Sequence, residues 1–442
     1  MSSSEPAASV SKAWPTAARL LVRWLDDQER VDALLESLPA DFPRVERARV
    51  QSLLFGAIRH LGRLDAHLTP LLHRAPRTRV RAVLLLAGCE LLEGGAEGHV
   101  ARVVHHAVEQ TKTLASPAEA GLVNAVVRKL AAALAAETPP GPGADSEALA
   151  RWYSHPAWLV TRWRSFFGAD ATRALLEWNQ QPASVYARWR PTDRGPTDDE
   201  AKGLTPTAWP GFYEIKSGHW AEIAPLLSSG VLYVQDPATR LALDLLAPQT
   251  GESVIDLCAA PGGKSLAIAD RLGQGRLVAC DLPGPRIDRL TANLALAPSQ
   301  VNVAVVQGDA AKGIGRLLSE HGLPTEYAAV LLDVPCSNTG VMRHRVDVKW
   351  RLQEGDFTKH ARQQLSLLLA AGRLVARGGR LVYSTCSLDP IENERVVEAF
   401  REKTGGRFHL EAVVQSRPWE TGHDGAAAFL LRADIGARPG RR

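Results

Sequence analysis

Apolar residues recur at helical spacing through the first third of the chain. One such set is Val50, Leu53, Leu54, Ala57, Ile58 and Leu61. Residues three and four apart share one face of an α-helix, so this spacing predicts amphipathic helices. We therefore predict an all-α domain over residues 1–140. The Pro- and Gly-rich run from Thr138 to Ser146 cannot continue a helix and predicts a linker.

The pattern changes in residues 141–230, where we predict this linker and a small α+β module. Strand-like runs at 185–189 and 211–215 alternate with helical ones, and seven of the eleven Trp lie between residues 151 and 230. Trp mixed with Arg could form a surface on which RNA bases stack. For most of these Trp we instead predict packing in the core and between domains.

From residue 231 to 435 the pattern becomes strand, loop and helix in repetition. The short β-rich runs are Val254–Leu257, Leu277–Cys280, Val301–Val306, Ala328–Leu332 and Arg380–Tyr383. This alternation predicts an α/β, Rossmann-like, doubly wound domain with a mostly parallel sheet. Residues 436–442 are predicted to be a basic tail.

Composition and charge narrow the class of protein. With 45% hydrophobic and 23% charged residues, the 442-residue chain has the composition of a folded protein rather than a disordered one. We see neither a membrane-length apolar run nor a signal-peptide pattern. Five cysteines without a Cys-x-x-Cys pair predict no disulfide framework, no metal site and a reducing, cytoplasmic location. The net charge of +4 neither demands nor excludes a nucleic-acid partner, and we expect a monomer without membrane contacts.

A Gly-rich segment, Asp-Leu-Cys-Ala-Ala-Pro-Gly-Gly-Lys at 256–264, directly follows the first strand of this domain. Ligands bind beyond the carboxyl ends of strands in such sheets, and Gly262 and Gly263 permit close approach. The spacing matches neither the dinucleotide fingerprint nor the P-loop. Asp281 and Asp309 at the next strand ends could accept hydrogen bonds from ribose hydroxyls and an adenine amino group. A single acid of this kind would indicate a helix cap, whereas acids at successive strand tips beside a Gly-rich turn favour an adenosine-type cofactor.

Two cysteines follow the next two strands, which we expect to be neighbours. Cys336 lies three residues after Asp333, and Cys386 precedes a helix whose dipole would favour a thiolate. Beside a methyl donor, a thiolate can add to carbon 6 of cytosine and make carbon 5 nucleophilic. Asp333 would hold or donate a proton at the ring nitrogen, and the base must be unstacked first. From the residues alone, either cysteine could attack.

These segments resemble the RsmB/Sun/NSUN family of RNA cytosine-5 methyltransferases. The motifs occur in family order: DLCAAPGGK (256–264), Asp281, GDA (308–310), LLDVPCSNTG (331–340) and VYSTCSLDPIENE (382–394). The resemblance implies Cys386 as the covalent nucleophile and Cys336 in product release. It implies S-adenosyl-L-methionine as the cofactor, bound by Cys258, Ala259, Ala260, Pro261, Gly262, Gly263, Lys264, Asp281, Asp309 and Asp333.

The front of the chain narrows the family branch. LLFGAIRHLGRLD (53–65) and GLVNAVVRKL (121–130) resemble the NusB-type helical domain, which implies RNA binding and methylation of one cytidine in 16S (small-subunit) rRNA. The densest basic run of this domain is Arg74, Arg77, Arg79 and Arg81. Contacts to RNA phosphates and a solvated helix face are equally compatible with this run. Candidate phosphate contacts near the cysteines are Arg343, His344 and Lys349. Asn338 departs from the family pattern, which puts the contacts to the target base in doubt.

Three other functions are compatible with parts of this sequence. The same chemistry could act on tRNA or another RNA, although the NusB-like domain argues against it. A catalytically inactive RNA-binding assembly or antitermination factor would have no need for both Cys336 and Cys386. An amino-group methyltransferase would need an Asn/Asp-Pro-Pro-aromatic loop, where this chain has Asp333-Val-Pro-Cys.

Overall fold

The computed structural model of the protein describes residues 12–436. They form two compact units. The first comprises the described residues up to Gln181 together with Met342–Leu352, and the second comprises Pro182–Val341 and the described residues from Gln353 onward. Apart from Gly436, the predicted basic tail lies outside the described residues. The three-part division made from the sequence stays a prediction.

The α-helices of the described chain are numbered in chain order. They are α1 (Ala13–Asp27), α2 (Val31–Glu36), α3 (Arg44–Arg59), α4 (Leu61–Leu68), α5 (Thr78–Glu93), α6 (His99–Leu114), α7 (Ala120–Ala135), α8 (Ser146–Trp152), α9 (Ala157–Gln180), α10 (Trp220–Ser228), α11 (Thr239–Leu246), α12 (Gly263–Leu272), α13 (Pro285–Leu294), α14 (Ile314–Glu320), α15 (Val348–Arg351), α16 (Asp356–Gly372), α17 (Glu394–Lys403) and α18 (Pro418–Thr421). No helix in residues 12–436 has the length and apolar character needed to cross a membrane.

The first unit is helical, as the apolar spacing predicts. The predicted face of α3 is buried, with Val50, Leu54 and Ala57 fully enclosed in one core. In the basic run, Arg77 pairs with Glu119 and Arg81 with Asp65, whereas Arg74 and Arg79 are exposed. A role of this run in phosphate binding stays a prediction.

The segment Met342–Leu352 belongs to this helical unit although it lies far along the chain. Val346 joins the helical core. The Trp350 indole Nε1 donates to the Ile58 carbonyl at 2.8 Å. The segment therefore completes the packing of a unit whose other residues precede it by more than 150 positions.

Two of the three basic residues predicted to contact phosphates are buried in this segment. Lys349 is 2% exposed, and its ammonium donates to the Arg59 carbonyl at 2.9 Å. Burial lowers the pKa of Lys349. Arg343 is also buried, over the Trp178 ring. The prediction that Lys349 and Arg343 contact phosphates from the surface is wrong, and that for His344 stays a prediction.

The second unit contains a small antiparallel sheet of order β2-β3-β1-β4. Its strands are β1 (Tyr186–Trp189), β2 (Leu204–Pro206), β3 (Phe212–Ile215) and β4 (Leu232–Val234). Ala187, Trp189 and Leu232 lie in its core. The two strand-like runs predicted at 185–189 and 211–215 are present as β1 and β3. Trp189 and Trp163 are buried as core residues, whereas Trp220 is exposed.

The larger sheet has the order β10-β11-β9-β8-β5-β6-β7. Its strands are β5 (Ser253–Leu257), β6 (Gly275–Asp281), β7 (Val301–Gln307), β8 (Tyr327–Asp333), β9 (Val375–Thr385), β10 (Phe408–Ser416) and β11 (Ala426–Ala433). The five predicted strands, β5 to β9, are parallel, and β11 runs antiparallel to both of its neighbours. The predicted doubly wound α/β fold is confirmed.

Successive side chains of the central strands point to opposite faces of the larger sheet, which explains why helices cover both faces. Ile255 and Leu257 of β5 face one core with α16 and α17, whereas Val254 faces another with α11 and α12. The strand order reverses at β5, which lies between β6 and β8. The loops after β5, β6 and β8 therefore meet at one edge of the sheet, where ligands bind in open α/β folds.

Candidate active site

The loop after β5 is held against the end of β6. Cys258 and Gly262 both have positive φ, +62° and +106°. A Cβ on Gly262 would lie 3.0 Å from Leu290, so a side chain there would be both strained and crowded. The Ala260 amide donates to the Asp281 carboxylate at 2.8 Å. Asp281 is thereby bound to the predicted cofactor loop.

A cavity of about 230 Å³ opens beside this loop. The predicted cofactor residues that line it are Cys258, Ala259, Ala260, Pro261, Gly263, Lys264 and Asp333. Gly262, Asp281 and Asp309 are not among its lining residues. Asp309 instead accepts from the Ala311 amide at 3.0 Å and lies 3.3 Å from the Lys312 ammonium, the local arrangement of a turn-capping acid.

Asp256 also lines the cavity, and sequence reasoning did not single it out. One carboxyl oxygen accepts from the Ser265 hydroxyl at 2.5 Å. The other is buried and has no hydrogen-bond partner among residues 12–436. Burial raises the pKa of Asp256 to about 7. A buried polar atom that lacks a partner beside a cavity fits a ligand with hydrogen-bonding groups. The sequence signal that could have identified Asp256 is a single acid within the apolar run of its strand.

Asp333 links the cavity to the cysteine loops. Its carboxylate lies 2.7 Å from the Lys264 ammonium and accepts from the Ser384 hydroxyl at 2.5 Å. Burial acts to lower the pKa of Lys264, but the Asp333 carboxylate outweighs it and the pKa is raised. The ion pair and the hydroxyl together hold the Asp333 side chain in one orientation.

The two predicted cysteines lie side by side. Asp333 of β8 pairs with Ser384 of β9, so the prediction that their strands are neighbours is confirmed. The sulfurs of Cys336 and Cys386 are 3.2 Å apart. Cys336 is buried, whereas Cys386 is partly exposed. The hydrogen bond to Cys386, together with burial, raises the pKa of the Cys336 thiol well above its usual range.

The surroundings of Cys386 differ from the expectation in one respect. The helix that follows it, α17, does not begin until Glu394, so its dipole acts from further away than predicted. Asn338 lies closer, and its side-chain oxygen is 3.3 Å from the Cys386 sulfur. Asn338 adopts φ +58°, and its amide donates to the Cys336 carbonyl at 2.8 Å. The residue that departs from the family pattern therefore contacts both cysteines.

Two family models match the chain. The model described as 16S rRNA methyltransferase RsmB/F matches residues 243–422, and the NusB family model matches residues 11–132. The first covers the cavity loop and both cysteines, and the second covers the helices of the first unit through α6 and most of α7. The predicted NusB-like domain is confirmed.

Individual relatives extend the match over nearly the whole chain. Ribosomal RNA small subunit methyltransferase B from Sodalis glossinidius is 30% identical over 425 residues, which is 94% of this chain and 92% of the relative. The protein of the same name from Shigella boydii is 29% identical over 93% of this chain and 94% of its own. The crystal structure of PH0851 has the same fold, with a TM-score of 0.74 and 22% identity over 94% of this chain and 98% of that one. The predicted methyltransferase class is thereby confirmed, and the chain belongs to the RsmB/F family of 16S rRNA methyltransferases.

Proposed function

We propose that the protein methylates carbon 5 of one cytidine in 16S rRNA through a transient bond between Cys386 and carbon 6. The observation that carries the proposal is the pair of sulfurs 3.2 Å apart, at strand ends beside the Lys264–Asp333 pair. The matching family model and the two relatives named small subunit methyltransferase B support rRNA as the substrate. Such an enzyme would work in the cytoplasm, where its substrate is made.

The residues of the cavity suit S-adenosylmethionine. The loop Cys258–Lys264 and Asp333 would surround the cofactor, with Asp281 and Asp309 at the neighbouring strand ends. The partner-less oxygen of Asp256 offers an acceptor for a donor group of the ligand. When bound, S-adenosylmethionine supplies the methyl group.

Cys386 and Asp333 have different roles in the reaction on the base. The Cys386 thiolate forms a bond to carbon 6, and the electron pair displaced from the ring double bond makes carbon 5 nucleophilic. As addition places negative charge on the ring nitrogen, that nitrogen takes up a proton from solvent. Asp333, held by Lys264 and Ser384, would accept a hydrogen bond from this proton and so stabilise the protonated ring.

Cys336 is assigned to product release. After methylation a base such as water takes the proton from carbon 5, and the electron pair of that C–H bond re-forms the ring double bond. The Cys386 sulfur leaves carbon 6 with its electron pair and takes up the proton of the Cys336 thiol. Cys336 is the nearest sulfur to Cys386, and its thiol stays protonated at neutral pH because its pKa is raised. A protonated neighbour also leaves Cys386 as the cysteine able to attack.

The test is methyl transfer from labelled S-adenosylmethionine to unmodified 16S rRNA, to the small-subunit particle and, separately, to unmodified tRNA. Bisulfite sequencing then locates the product. We expect one protected cytidine in the 16S rRNA or its particle. Protection only in tRNA would overturn the substrate and keep the chemistry, and label without a protected cytidine would overturn the target atom. Absence of label with every RNA would favour the inactive-scaffold alternative.

A further inference from the structure

The two cysteine loops need support beyond the sheet. The last backbone contact between the strands is the Val334 amide donating to the Ser384 carbonyl at 3.0 Å, and both cysteines lie after it. Further on, the Gly340 amide donates to the Cys386 carbonyl at 2.9 Å. Neither bond sets where the sulfurs point.

A single carboxylate joins the residues that directly follow the two cysteines. Glu392 accepts from the backbone amide of Ser337 at 2.9 Å and from its hydroxyl at 2.5 Å. The same carboxylate accepts from the hydroxyl of Ser387 at 2.5 Å. One side chain therefore holds both loops, each one residue away from its cysteine.

Gln364 connects Glu392 to the residue on the other side of Cys336. The Gln364 side-chain amide donates to Glu392 at 3.0 Å and also to the Pro335 carbonyl at 3.0 Å. Cys336 is thus enclosed between two residues that are held through Glu392. The Glu392 side chain is fully buried (0% exposed), and burying a carboxylate is costly unless donors compensate it. Four hydrogen bonds donated to Glu392 offset the cost of burying its carboxylate.

The charge of Glu392 also acts on Cys336. Besides the hydrogen bond to Cys386 and burial, the negative charge of Glu392 contributes to the raised pKa of Cys336. A carboxylate at this place therefore helps to keep Cys336 as a thiol. The effect matches the division of roles in which Cys386 attacks and Cys336 acts later.

We propose that Glu392 is a positioning residue that joins the two cysteine loops and thereby sets the distance between the two reacting sulfurs. This inference rests on the proposed function and adds to it a residue that touches neither substrate nor cofactor. The family resemblance marked Glu392 only as part of a motif. This task follows from its donors, because three of the four come from the two cysteine loops and the fourth, Gln364, comes from α16.

The test compares Glu392→Gln with Glu398→Gln, the same change at an exposed position of α17. Gln keeps the size of the side chain but removes the charge and offers donors where Ser337 and Ser387 also donate. We expect E392Q to form the covalent RNA adduct in a single turnover at least about tenfold more slowly, because small displacements of reacting groups cost this much. The KM for RNA should stay within about twofold, since the RNA contacts are unaffected.

The second measurement needs no RNA. The rate of Cys336 alkylation by iodoacetamide is followed against pH by peptide mass spectrometry. Removing a negative charge lowers the thiol pKa, so the midpoint of this profile should move to lower pH in E392Q and stay in place in E398Q. Glu392→Asp restores the charge on a shorter side chain, and it should return the midpoint towards wild type while adduct formation stays slow.

Each result decides the question. If either the adduct rate or the alkylation midpoint of E392Q equals that of E398Q, the proposal is overturned. If E392Q does not fold, Ser337→Ala and Ser387→Ala each remove one hydroxyl donor, and wild-type adduct rates in both would overturn the proposal. If the wild-type enzyme forms no adduct with any RNA, the proposed function fails, and the alkylation profile alone then decides the charge effect of Glu392.

Discussion

The two halves of the site are built from different kinds of hydrogen bond. At the cofactor half, backbone amides hold two of the acids: Asp281 accepts from Ala260 and Leu282, and Asp309 accepts from Ala311. At the cysteine half, most of the donors are side chains. Ser384 donates to Asp333, and Ser337 and Ser387 both donate to Glu392.

Because of this difference, the two halves require different numbers of specific side chains. Every residue except proline supplies a backbone amide, so the cofactor half needs only the right loop shape and an acid. The cysteine half needs a particular side chain at each partner position. A substitution there leaves a buried polar group without its partner, which costs more than losing an exposed one. Substitutions in the cysteine half should therefore have larger effects than substitutions in the cofactor half.

The largest effect is expected for Cys386→Ala. Without this sulfur, no bond to carbon 6 forms, so methyl transfer and the covalent adduct should both be lost. The cofactor half is untouched, and the Kd for S-adenosylmethionine measured by calorimetry should stay within about twofold. Cys89→Ala, a cysteine deletion inside the helical core, is the control and should retain activity. Full turnover in C386A would remove it as the nucleophile.

Cys336→Ala should stop the reaction one step later. Addition and methylation can proceed, but release cannot, so the enzyme should make about one product per active site and keep it bound. A slow band on a denaturing gel would reveal the RNA adduct. A variant that turns over without any adduct would contradict a release role.

A smaller effect is expected at the cofactor half for Asp281→Asn. An asparagine places an amino group where the Ala260 or Leu282 amide now donates, so the loop loosens. The Kd for S-adenosylmethionine should rise about 10–100-fold, the scale of a buried charge-assisted hydrogen bond. Asp288→Asn, at an exposed position of α13, serves as the control. Equal affinities in both variants would place Asp281 outside the binding site.

The last effect acts on stability and not on the reaction, as a pH dependence caused by Asp256. Its pKa rises from an ordinary value of 3.8 to about 7 in the fold, so the folded state keeps a proton that the unfolded state releases. Stability should therefore fall as pH increases from 3.8 to about 7, by at most about 1.4 kcal/mol per pH unit. Asp256→Asn lacks this slope. Urea unfolding of both proteins across this range tests it, and parallel profiles would contradict the raised pKa.

The parallel half of the sheet was predictable, whereas the antiparallel strands were not. Strands β5 and β8 are buried on both faces, and all five strands from β5 to β9 contain short apolar runs with clear loops between them. Strand β11 is rich in alanine, a residue with little β-propensity, and β10 is buried only at its two ends. Such strands form because their neighbours pair with them, which no local pattern reports.

The same limit applies to the site. Cys336 and Cys386 could be placed together because strand order follows from the fold class. Asn338 and Glu392 could not be assigned from spacing, because their partners come from another loop. Lys349 was misjudged for a related reason: a charged residue in a loop is usually solvated, and only the packing of α15 on α3 buries it.

The segment Met342–Leu352 also affects how the protein is made. The helical unit lacks the contacts of Val346 and of the Trp350 indole until both are synthesised, long after Gln181. At ~5–20 residues per second, the ribosome needs on the order of 10–30 s to cover that interval. During this time, the surface of α3 that will receive the segment stays uncovered on the nascent chain. A protein truncated before Met342 therefore leaves its N-terminal domain permanently unfinished.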